Sequence, residues 1–369
     1  MGSGAPPVRP TLGMPVGPDR MPWGFRQKAA FVFGPGPGGR GLAMGHFARG
    51  GPRIVAIEEC PVHGERANRV AFALRDAFRG VRVDLVRHVV VRSSADESQA
   101  VALLVVTRND RALRAPLRAL MESPDAPDGL LLNLNDRPGP YMLGRETLRV
   151  TGREHVLESS LGPEFLVSPA AFFQTNVAAA GQLVGLVRDA LPRRPRLRIL
   201  DLFAGSGLFA LPLALLGHAV TAVEENRQAV KDGYENARRN RARVRFVCAR
   251  VEAALPRLSR ERFDVVILDP PRQGCPPRVI ETACRLGAER VVLVSCNPEA
   301  LAREVKVARH MGCTVESVQP VDMFPHTPHV EAVAVLRPGP PVRAIQKGEP
   351  ERPRRSPARP RRAARGWNR

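Results

Sequence analysis

The sequence of 369 residues has few cysteines, few aromatic side chains and no long apolar run. Its six cysteines never occur as CxxC, which argues against a disulfide framework. No stretch approaches the ~18 apolar residues of a membrane-spanning helix. The Gly- and Pro-rich start also lacks the apolar stretch of a signal peptide. We therefore expect a soluble, cytoplasmic protein without a membrane partner, and a monomer because no apolar surface stripe is evident.

Lysine is scarce as well, since only four of the 56 basic residues are Lys and the other 52 are Arg. With 36 acidic residues the net charge is +20, which attracts polyanions over long distances. A GC-rich coding sequence would also enrich Arg, so the charge indicates nucleic acid without specifying which. Residues 337–369 contribute +9 of this charge and contain seven prolines. We predict a disordered segment at 1–22 and a basic disordered tail at 338–369.

The pattern of residues 23–164 is that of a small α+β domain, which we place on the substrate side of the molecule. Short strand-like runs are separated by turn residues and by two helical segments. The predicted strands are Val81–Val91, Val101–Thr107, Leu130–Leu134 and Thr147–Thr151, and the predicted helices are Ala67–Phe78 and Arg111–Met121.

Residues 165–337 alternate between strand and helix patterns, which is typical of a Rossmann-like α/β domain with a parallel sheet. The predicted strands are Leu197–Leu202, Ala219–Val223, Val244–Val247, Asp264–Leu268, Arg290–Ser295 and Thr314–Gln319. A last strand at 331–336 follows too closely for a crossover helix. It therefore predicts an antiparallel hairpin that closes the sheet.

The first strand of this domain runs into a Gly-rich turn, where Gly205 and Gly207 allow a ligand to approach the backbone. The spacing also fits a dinucleotide fingerprint, so a nicotinamide cofactor is an alternative. Asp201 at the strand end would repel a diphosphate but suits the positive charge of S-adenosylmethionine, the expected cofactor. Glu224 ends the next strand, where an acid can hold ribose hydroxyls. Asp269 follows a third strand and either faces the same crevice or caps the next helix.

Cys296 ends a strand and directly precedes a helix, since Asn297 is a good N-cap and Pro298 a good first helical residue. Backbone N–H groups at a helix N-terminus favour a thiolate, which predicts a reactive cysteine. The alternative is a buried, inert cysteine. The other cysteines lack this setting.

Five segments, in this order, resemble the TrmA/RlmC/RlmD family of RNA 5-methyluridine (uracil-C5) methyltransferases, class I enzymes that use S-adenosylmethionine. They are Phe172–Asn176, Asp201–Gly207, Asp269-Pro270, Ser295–Pro298 and Phe324–Glu331. The match is dense over 165–336 and extends loosely back to about residue 23. It implies a class I methyltransferase domain at 165–337.

The resemblance also implies a mechanism. The Cys296 thiolate attacks uracil C6, so that C5 can take the methyl group of S-adenosylmethionine. Glu331 then removes the C5 proton as general base. Phe203 and Glu224 match the family's cofactor positions, whereas Gln174 and Asp269 would hold either the cofactor or the uracil edge. The target base must leave its stack to reach such a pocket.

The sequence departs from the family at several positions. Leu208 and Arg250 replace residues that contact the cofactor in relatives. Some relatives hold a [4Fe–4S] cluster with four cysteines, of which only Cys60 is matched here. We therefore predict no iron–sulfur cluster and no metal site, and Cys60 with His63 offers at most half a zinc site.

The RNA target is predicted only from charge, which favours 23S ribosomal RNA over transfer RNA. Two other functions compete with uracil-C5 methylation. A cytosine-C5 methyltransferase would usually carry a second cysteine where this sequence has Asp269-Pro270-Pro271. A catalytically silent RNA-binding protein is the alternative from another class, and Leu208 and Arg250 leave room for it.

Overall fold

The computed structural model describes residues 6–15, 21–137, 142–286 and 289–339. The predicted basic tail lies outside these residues from position 340 onward. The strands are β1 Lys28–Pro35, β2 Leu42–Phe47, β3 Ile54–Ala56, β4 Val86–Ser93, β5 Ala100–Val106, β6 Gly129–Leu134, β7 Glu146–Gly152, β8 Val156–Glu158, β9 Phe165–Val167, β10 Arg198–Leu202, β11 Ala219–Glu224, β12 Val244–Cys248, β13 Val265–Leu268, β14 Arg290–Ser295, β15 Thr314–Val321 and β16 Glu331–Arg337. The helices are α1 Glu65–Ala77, α2 Arg114–Met121, α3 Val177–Asp189, α4 Ala210–Leu215, α5 Arg227–Arg239, α6 Val251–Leu258, α7 Pro277–Arg285 and α8 Pro298–His310.

The first seven strands form one mixed sheet in the order β3-β2-β1-β4-β5-β6-β7. All neighbours are antiparallel except β5 and β6, which are parallel because α2 crosses over between them. Helices α1 and α2 cover one face, and α3 with the β8–β9 hairpin packs on the other. The central strand β5 is buried along its whole length, which explains its continuous apolar sequence AVALLVV.

The sequence analysis missed β1, β2 and β3, which form one edge of this sheet. Glycines interrupt their apolar pattern, and at least one of them is required by close packing. A Cβ added to Gly45 would lie 1.8 Å from the Val55 carbonyl oxygen, whereas one added to Gly34 would meet the end of the Ile54 side chain at 2.2 Å. The glycines that looked like turn residues therefore let neighbouring strands approach each other.

The second sheet has the order β12-β11-β10-β13-β14-β16-β15. Strands β10 to β14 are parallel, whereas β16 inserts antiparallel between β14 and β15. The predicted closing hairpin and the Rossmann-like α/β fold are thus confirmed. The side chains of the two sheets meet in one continuous apolar cluster, which includes Leu103 of β5 and Ile267 of β13.

Residues 6–15 differ from the prediction of an unstructured segment over 1–22. They run parallel to β15, with bridges from Val8 to Val318 and from Leu12 to Val321. The Arg9 N–H donates to the Val318 carbonyl at 2.9 Å, and the Asp322 N–H donates to the Leu12 carbonyl at 2.8 Å. Prolines suggested disorder in this stretch, but they are compatible with an edge position, where one side of the strand needs no partner.

In the described part of the chain, no helix has the length and apolar character needed to cross a membrane.

Candidate active site

A cavity of about 1300 Å³ opens at the carboxyl ends of the strands of the second sheet. Ligands of open α/β sheets bind at this edge, because the loops that follow the parallel strands diverge there. Seven of the eight residues predicted to form the site line the cavity: Gln174, Phe203, Gly205, Glu224, Asp269, Cys296 and Glu331. Residues from six separate segments thus converge on one cavity.

The Gly-rich turn after β10 has an unusual backbone. Phe203 has a φ of 64°, a left-handed conformation that is rare for a bulky residue and common at ligand sites. The Gly205 N–H donates to Glu224 Oε2 at 2.9 Å, and the Asn226 N–H donates to Glu224 Oε1 at 2.8 Å. Glu224 therefore ties the loop after β10 to the loop after β11 at the rim of the cavity.

Gly207 and Asp201 lie elsewhere than the sequence argument put them. Gly207 is outside the cavity lining, and a Cβ there would lie 2.1 Å from Leu211 Cδ1, so this glycine lets α4 pack against the turn. Asp201 is fully buried within β10, and burial together with Asp269 and Glu224 raises the pKa of its carboxyl well above the usual range. Asp201 does not line the cavity, so it cannot contact a ligand directly.

Three titratable groups surround the reactive end of the cavity. Burial, together with the nearby Asp269, raises the pKa of Glu331 to about 8. Burial alone raises the pKa of Asp269 to about 7. Burial and the two carboxyls also raise the pKa of the Cys296 thiol. The three groups are close enough to influence one another, and burial favours the neutral form of each.

The acidic thiol expected from the helix N-terminus is therefore not what the structure supports. Helix α8 does begin at Pro298 with Asn297 as its N-cap, as predicted. However, the Asn297 side chain itself accepts the Glu299 and Ala300 N–H groups. These N–H groups are therefore not free to stabilise the sulfur, and the carboxyls facing Cys296 act in the opposite direction.

A second cysteine in the same cavity has a different environment. The Cys275 N–H donates to Glu304 Oε1 at 2.6 Å, and burial together with Glu304 raises the pKa of the Cys275 thiol far above its usual range. Arg272, in contrast, lowers the pKa of Cys296 and partly offsets its carboxyl neighbours. Of the two thiols, Cys296 therefore ionises more readily.

Gln174 lies on a loop that is fixed at both ends. Its neighbour Asn176 caps α3 by accepting the Ala179 N–H and donates to the Met323 carbonyl at 2.9 Å, which joins this loop to the segment before β16. Within the described part of the chain, no protein group hydrogen-bonds the Gln174 amide, which is therefore available to a ligand.

Several lining residues were not identified from the sequence. Arg26 lies 5.5 Å from the Phe324 ring centroid, and His329 contacts Arg272 at 3.3 Å. Phe172 is 80% exposed at the rim. In the sequence these residues stand out only because they lie within or beside the segments that resemble the methyltransferase family. Their convergence on the cavity depends on tertiary packing.

Trp23 and Phe25, the two aromatic residues just before Arg26, lie in different environments. Trp23 stacks on His326, with 3.8 Å between the ring centroids, and remains 46% exposed. Phe25 is buried and therefore packs.

Leu208 and Arg250, the two departures from the family pattern, also line the cavity. Leu208 is buried and adds an apolar wall. Arg250 is exposed at the mouth, with its Nε 3.7 Å from Glu252 and 4.0 Å from Glu225. Neither side chain closes the cavity.

The sheet order, the antiparallel β16 and the cavity at the strand ends define a class I methyltransferase domain. Comparison with known proteins agrees. A family model for tRNA (uracil-5-)-methyltransferase matches residues 144–338. An uncharacterized RNA methyltransferase of Gloeobacter violaceus is 32% identical over 346 residues, which are 91% of this chain and 74% of the relative. Another, from Thermosynechococcus vestitus, is 31% identical over 339 residues, 89% and 75% of the two chains.

A solved structure supports the same assignment. The tRNA (uracil-54, C5)-methyltransferase of Pyrococcus abyssi, crystallised with S-adenosyl-L-homocysteine, is 27% identical and superposes with a TM-score of 0.72 over 88% of this chain and 77% of that one. The chain belongs to the tRNA (uracil-5-)-methyltransferase family. The predicted family, enzyme class and S-adenosylmethionine cofactor are confirmed.

The cavity residues fit this cofactor. A Cβ added to Gly205 would meet only open space, so the backbone at the turn is accessible. The unpartnered Gln174 amide and the Asp269 carboxyl offer polar contacts, and Glu224 lies where ribose hydroxyls can be bound. Acidic rather than basic groups dominate this end, which suits a sulfonium and an ammonium group better than phosphates.

Proposed function

We propose that this enzyme methylates C5 of a uridine in RNA through a covalent adduct with Cys296. Uracil C5 is a poor nucleophile until a group adds to the neighbouring carbon. Addition of the Cys296 thiolate to C6 breaks the C5–C6 double bond and gives C5 enolate character. Bound S-adenosylmethionine supplies the methyl group that C5 then takes.

Glu331 completes the reaction by removing a proton. After methylation C5 carries both a methyl group and a hydrogen, and the C5–C6 double bond can return only if that hydrogen leaves as a proton. The Glu331 carboxylate accepts this proton, the electron pair re-forms the double bond, and the Cys296 thiolate leaves C6. Gln174 and Asp269 are proposed to bind the cofactor or the uracil edge.

The observation that carries this proposal is that Cys296, Glu331 and Asp269 line the same cavity, where the two carboxyls help to raise the pKa of the thiol. A nucleophile and a base must both reach the same pyrimidine ring, so both must line the same cavity. Their raised pKa values fit a site that becomes active when a positively charged cofactor enters, because that charge favours both the thiolate and the carboxylate.

The proposal also concerns which class of RNA the enzyme methylates. The net charge of +20 motivates a ribosomal target, with 23S rRNA as the first candidate. The likeness to the Pyrococcus abyssi enzyme favours the alternative, a transfer RNA. Both classes offer uridines that can be extruded from a loop or helix into the cavity.

Nucleoside mass spectrometry tests reaction and target together. Unmodified ribosomal and transfer RNA pools are incubated separately with S-adenosylmethionine and the wild type, Cys296→Ser or Cys275→Ser. We expect 5-methyluridine in one pool with the wild type and with Cys275→Ser, the matched cysteine control, but not with Cys296→Ser. Appearance of 5-methylcytidine would overturn the base assignment. A Cys296→Ser variant as active as wild type would overturn the covalent mechanism, and no product in either pool would favour a silent RNA-binding protein.

A further inference from the structure

A second group of chemically reactive side chains lies in the first sheet, outside the catalytic cavity. His46 on β2, together with Cys60 and His63 in the turn before α1, places two imidazoles and a thiol within 4.8 Å of one another. Within the described residues, no fourth His, Cys, Asp or Glu joins this group. The sequence showed only the Cys60–His63 half of it, because His46 precedes Cys60 by fourteen positions on a separate strand.

His63 is the most unusual member of this group. Its side chain is 5% exposed, and neither ring nitrogen has a hydrogen-bond partner among the described residues. A buried histidine without any partner is costly, because the ring loses its bonds to water and gains none in exchange. A bound ligand that accepts a lone pair from one ring nitrogen would remove much of this cost.

The surrounding structure holds the three side chains in position. Asn68 of α1 donates to the Cys60 carbonyl at 2.9 Å and to the His63 carbonyl at 3.2 Å, which fixes the turn that carries both residues. The ring of Phe31 packs against both imidazoles, with its centroid 5.1 Å from His46 and 5.3 Å from His63, while the two imidazole centroids are 6.3 Å apart. The arrangement is therefore built largely before any ligand arrives.

We propose that His46, Cys60 and His63 bind one Zn²⁺ ion, with water as the fourth ligand. Imidazole nitrogen and thiolate sulfur are the donors that zinc prefers, at bond lengths of ~2.0–2.3 Å. Such bonds place tetrahedral ligand atoms roughly 3.3–3.8 Å apart. The donor atoms of the three side chains lie within 4.8 Å of one another, and a change of rotamer at the exposed His46 can bring them to bonding distance of one ion. Three ligands, two of them imidazoles, do not provide the four attachments that an iron–sulfur cluster needs.

The adjacent Arg26 links this site to the catalytic cavity. Its guanidinium interacts electrostatically with Cys60 and both imidazoles, and the Cys60 thiolate offsets part of the repulsion between the arginine and the ion. The main-chain N–H of Arg26 donates to the Val62 carbonyl at 2.9 Å, and the Arg26 carbonyl accepts the Gly64 N–H at 3.0 Å. Zinc would therefore hold the segment from which Arg26 reaches the cavity and Phe324.

Metal titration of the full chain tests the proposal without requiring activity. Chelator-treated protein is titrated with Zn²⁺ in competition with a chromophoric chelator, and with Co²⁺, whose spectrum reports thiolate ligation directly. We expect one ion per chain and a thiolate-to-cobalt charge-transfer band. Cys60→Ser should abolish the band, and His46→Gln should weaken Zn²⁺ binding ~10–100-fold. His46→Gln should fold normally because that side chain is exposed.

Matched cysteine variants identify the ligand. Cys248→Ser, at an exposed cysteine on β12, should leave zinc binding and the cobalt band unchanged. A band that persists in Cys60→Ser and disappears in Cys296→Ser would move the metal to the catalytic cavity and overturn the proposal. Absence of stoichiometric binding would also overturn it, as would iron with acid-labile sulfide in the freshly purified protein.

Discussion

The guanidinium of Arg92, buried on β4 of the first sheet, donates a 3.1 Å hydrogen bond to the Phe173 carbonyl and lies 5.5 Å from the Phe173 ring centroid. Lys28 of β1 donates to the Ala171 carbonyl at 3.2 Å. Two cations of the first sheet thus hold the main chain that leads to Gln174. The first sheet therefore helps to shape the catalytic cavity.

Arg92→Met should loosen this loop. Loss of the bond to Phe173 frees the segment before Gln174, and we expect KM for S-adenosylmethionine or RNA to rise about 10-fold, equivalent to ~1.4 kcal/mol. Steady-state kinetics with each substrate varied would measure this. Arg149→Met, at an exposed arginine of β7, is the control. Unchanged KM values in a folded Arg92→Met protein would refute the positioning role.

Glu331→Gln should trap the covalent intermediate. The variant retains Cys296, so addition to C6 and methylation proceed, but no carboxylate remains to take the C5 proton. We expect turnover to fall at least ~100-fold and a protein–RNA species to survive denaturing electrophoresis. The double variant with Cys296→Ser should give no such species. A Glu331→Gln enzyme that turns over normally would exclude Glu331 as the base.

The activity should increase as pH rises. Both Cys296 and Glu331 act in their deprotonated forms, and burial raises the pKa of Glu331 to about 8. The pKa of Cys296 is raised as well, by burial, Glu331 and Asp269. We expect kcat/KM for RNA to rise between about pH 7 and pH 9. Asp269→Asn removes a neighbouring negative charge and should move the midpoint of that rise to lower pH when S-adenosylmethionine is saturating. A pH-independent kcat/KM would contradict this assignment.

The same carboxyl groups should reduce the stability of the cofactor-free enzyme at high pH. A carboxyl whose pKa is raised in the folded state stabilises the fold fully below its ordinary pKa, and this stabilisation is lost as pH rises through the folded value. For Asp269 that window extends from about 3.8 to about 7. Urea unfolding should therefore find Asp269→Asn more stable than wild type by roughly 1–3 kcal/mol at pH 8 but not at pH 4. Equal differences at both pH values would argue against a raised pKa.

Strong local signals made much of the second sheet predictable. The βαβ alternation, the Gly-rich turn with Gly205, and the Asn297-Pro298 helix start each depend on neighbouring residues, and the structure has them where they were expected. The strands β1 to β3 were missed because Gly34 and Gly45 resemble turn residues locally, whereas their packing partners lie on other strands.

Properties that arise from long-range packing could not be predicted from the sequence. The local sequence around Cys296 predicts an acidic thiol, but burial raises the pKa of this thiol, and the carboxyl of Glu331, which comes from a strand 35 positions later, raises it further. Arg26 likewise enters the cavity from the segment that precedes β1 of the first sheet. Such contacts depend on how two sheets pack, and no single stretch of sequence encodes that.

The pairing of residues 6–15 with β15 has a consequence for how copies of this protein behave towards each other. β15 is the last strand of its sheet, and the paired segment occupies backbone groups that would otherwise be available to a strand from another molecule. Deletion of residues 1–15 should therefore expose the unpaired edge of β15 and cause the protein to self-associate as its concentration rises. Light scattering over a concentration series, compared with the full chain, would reveal this, and identical curves would assign the segment no protective role.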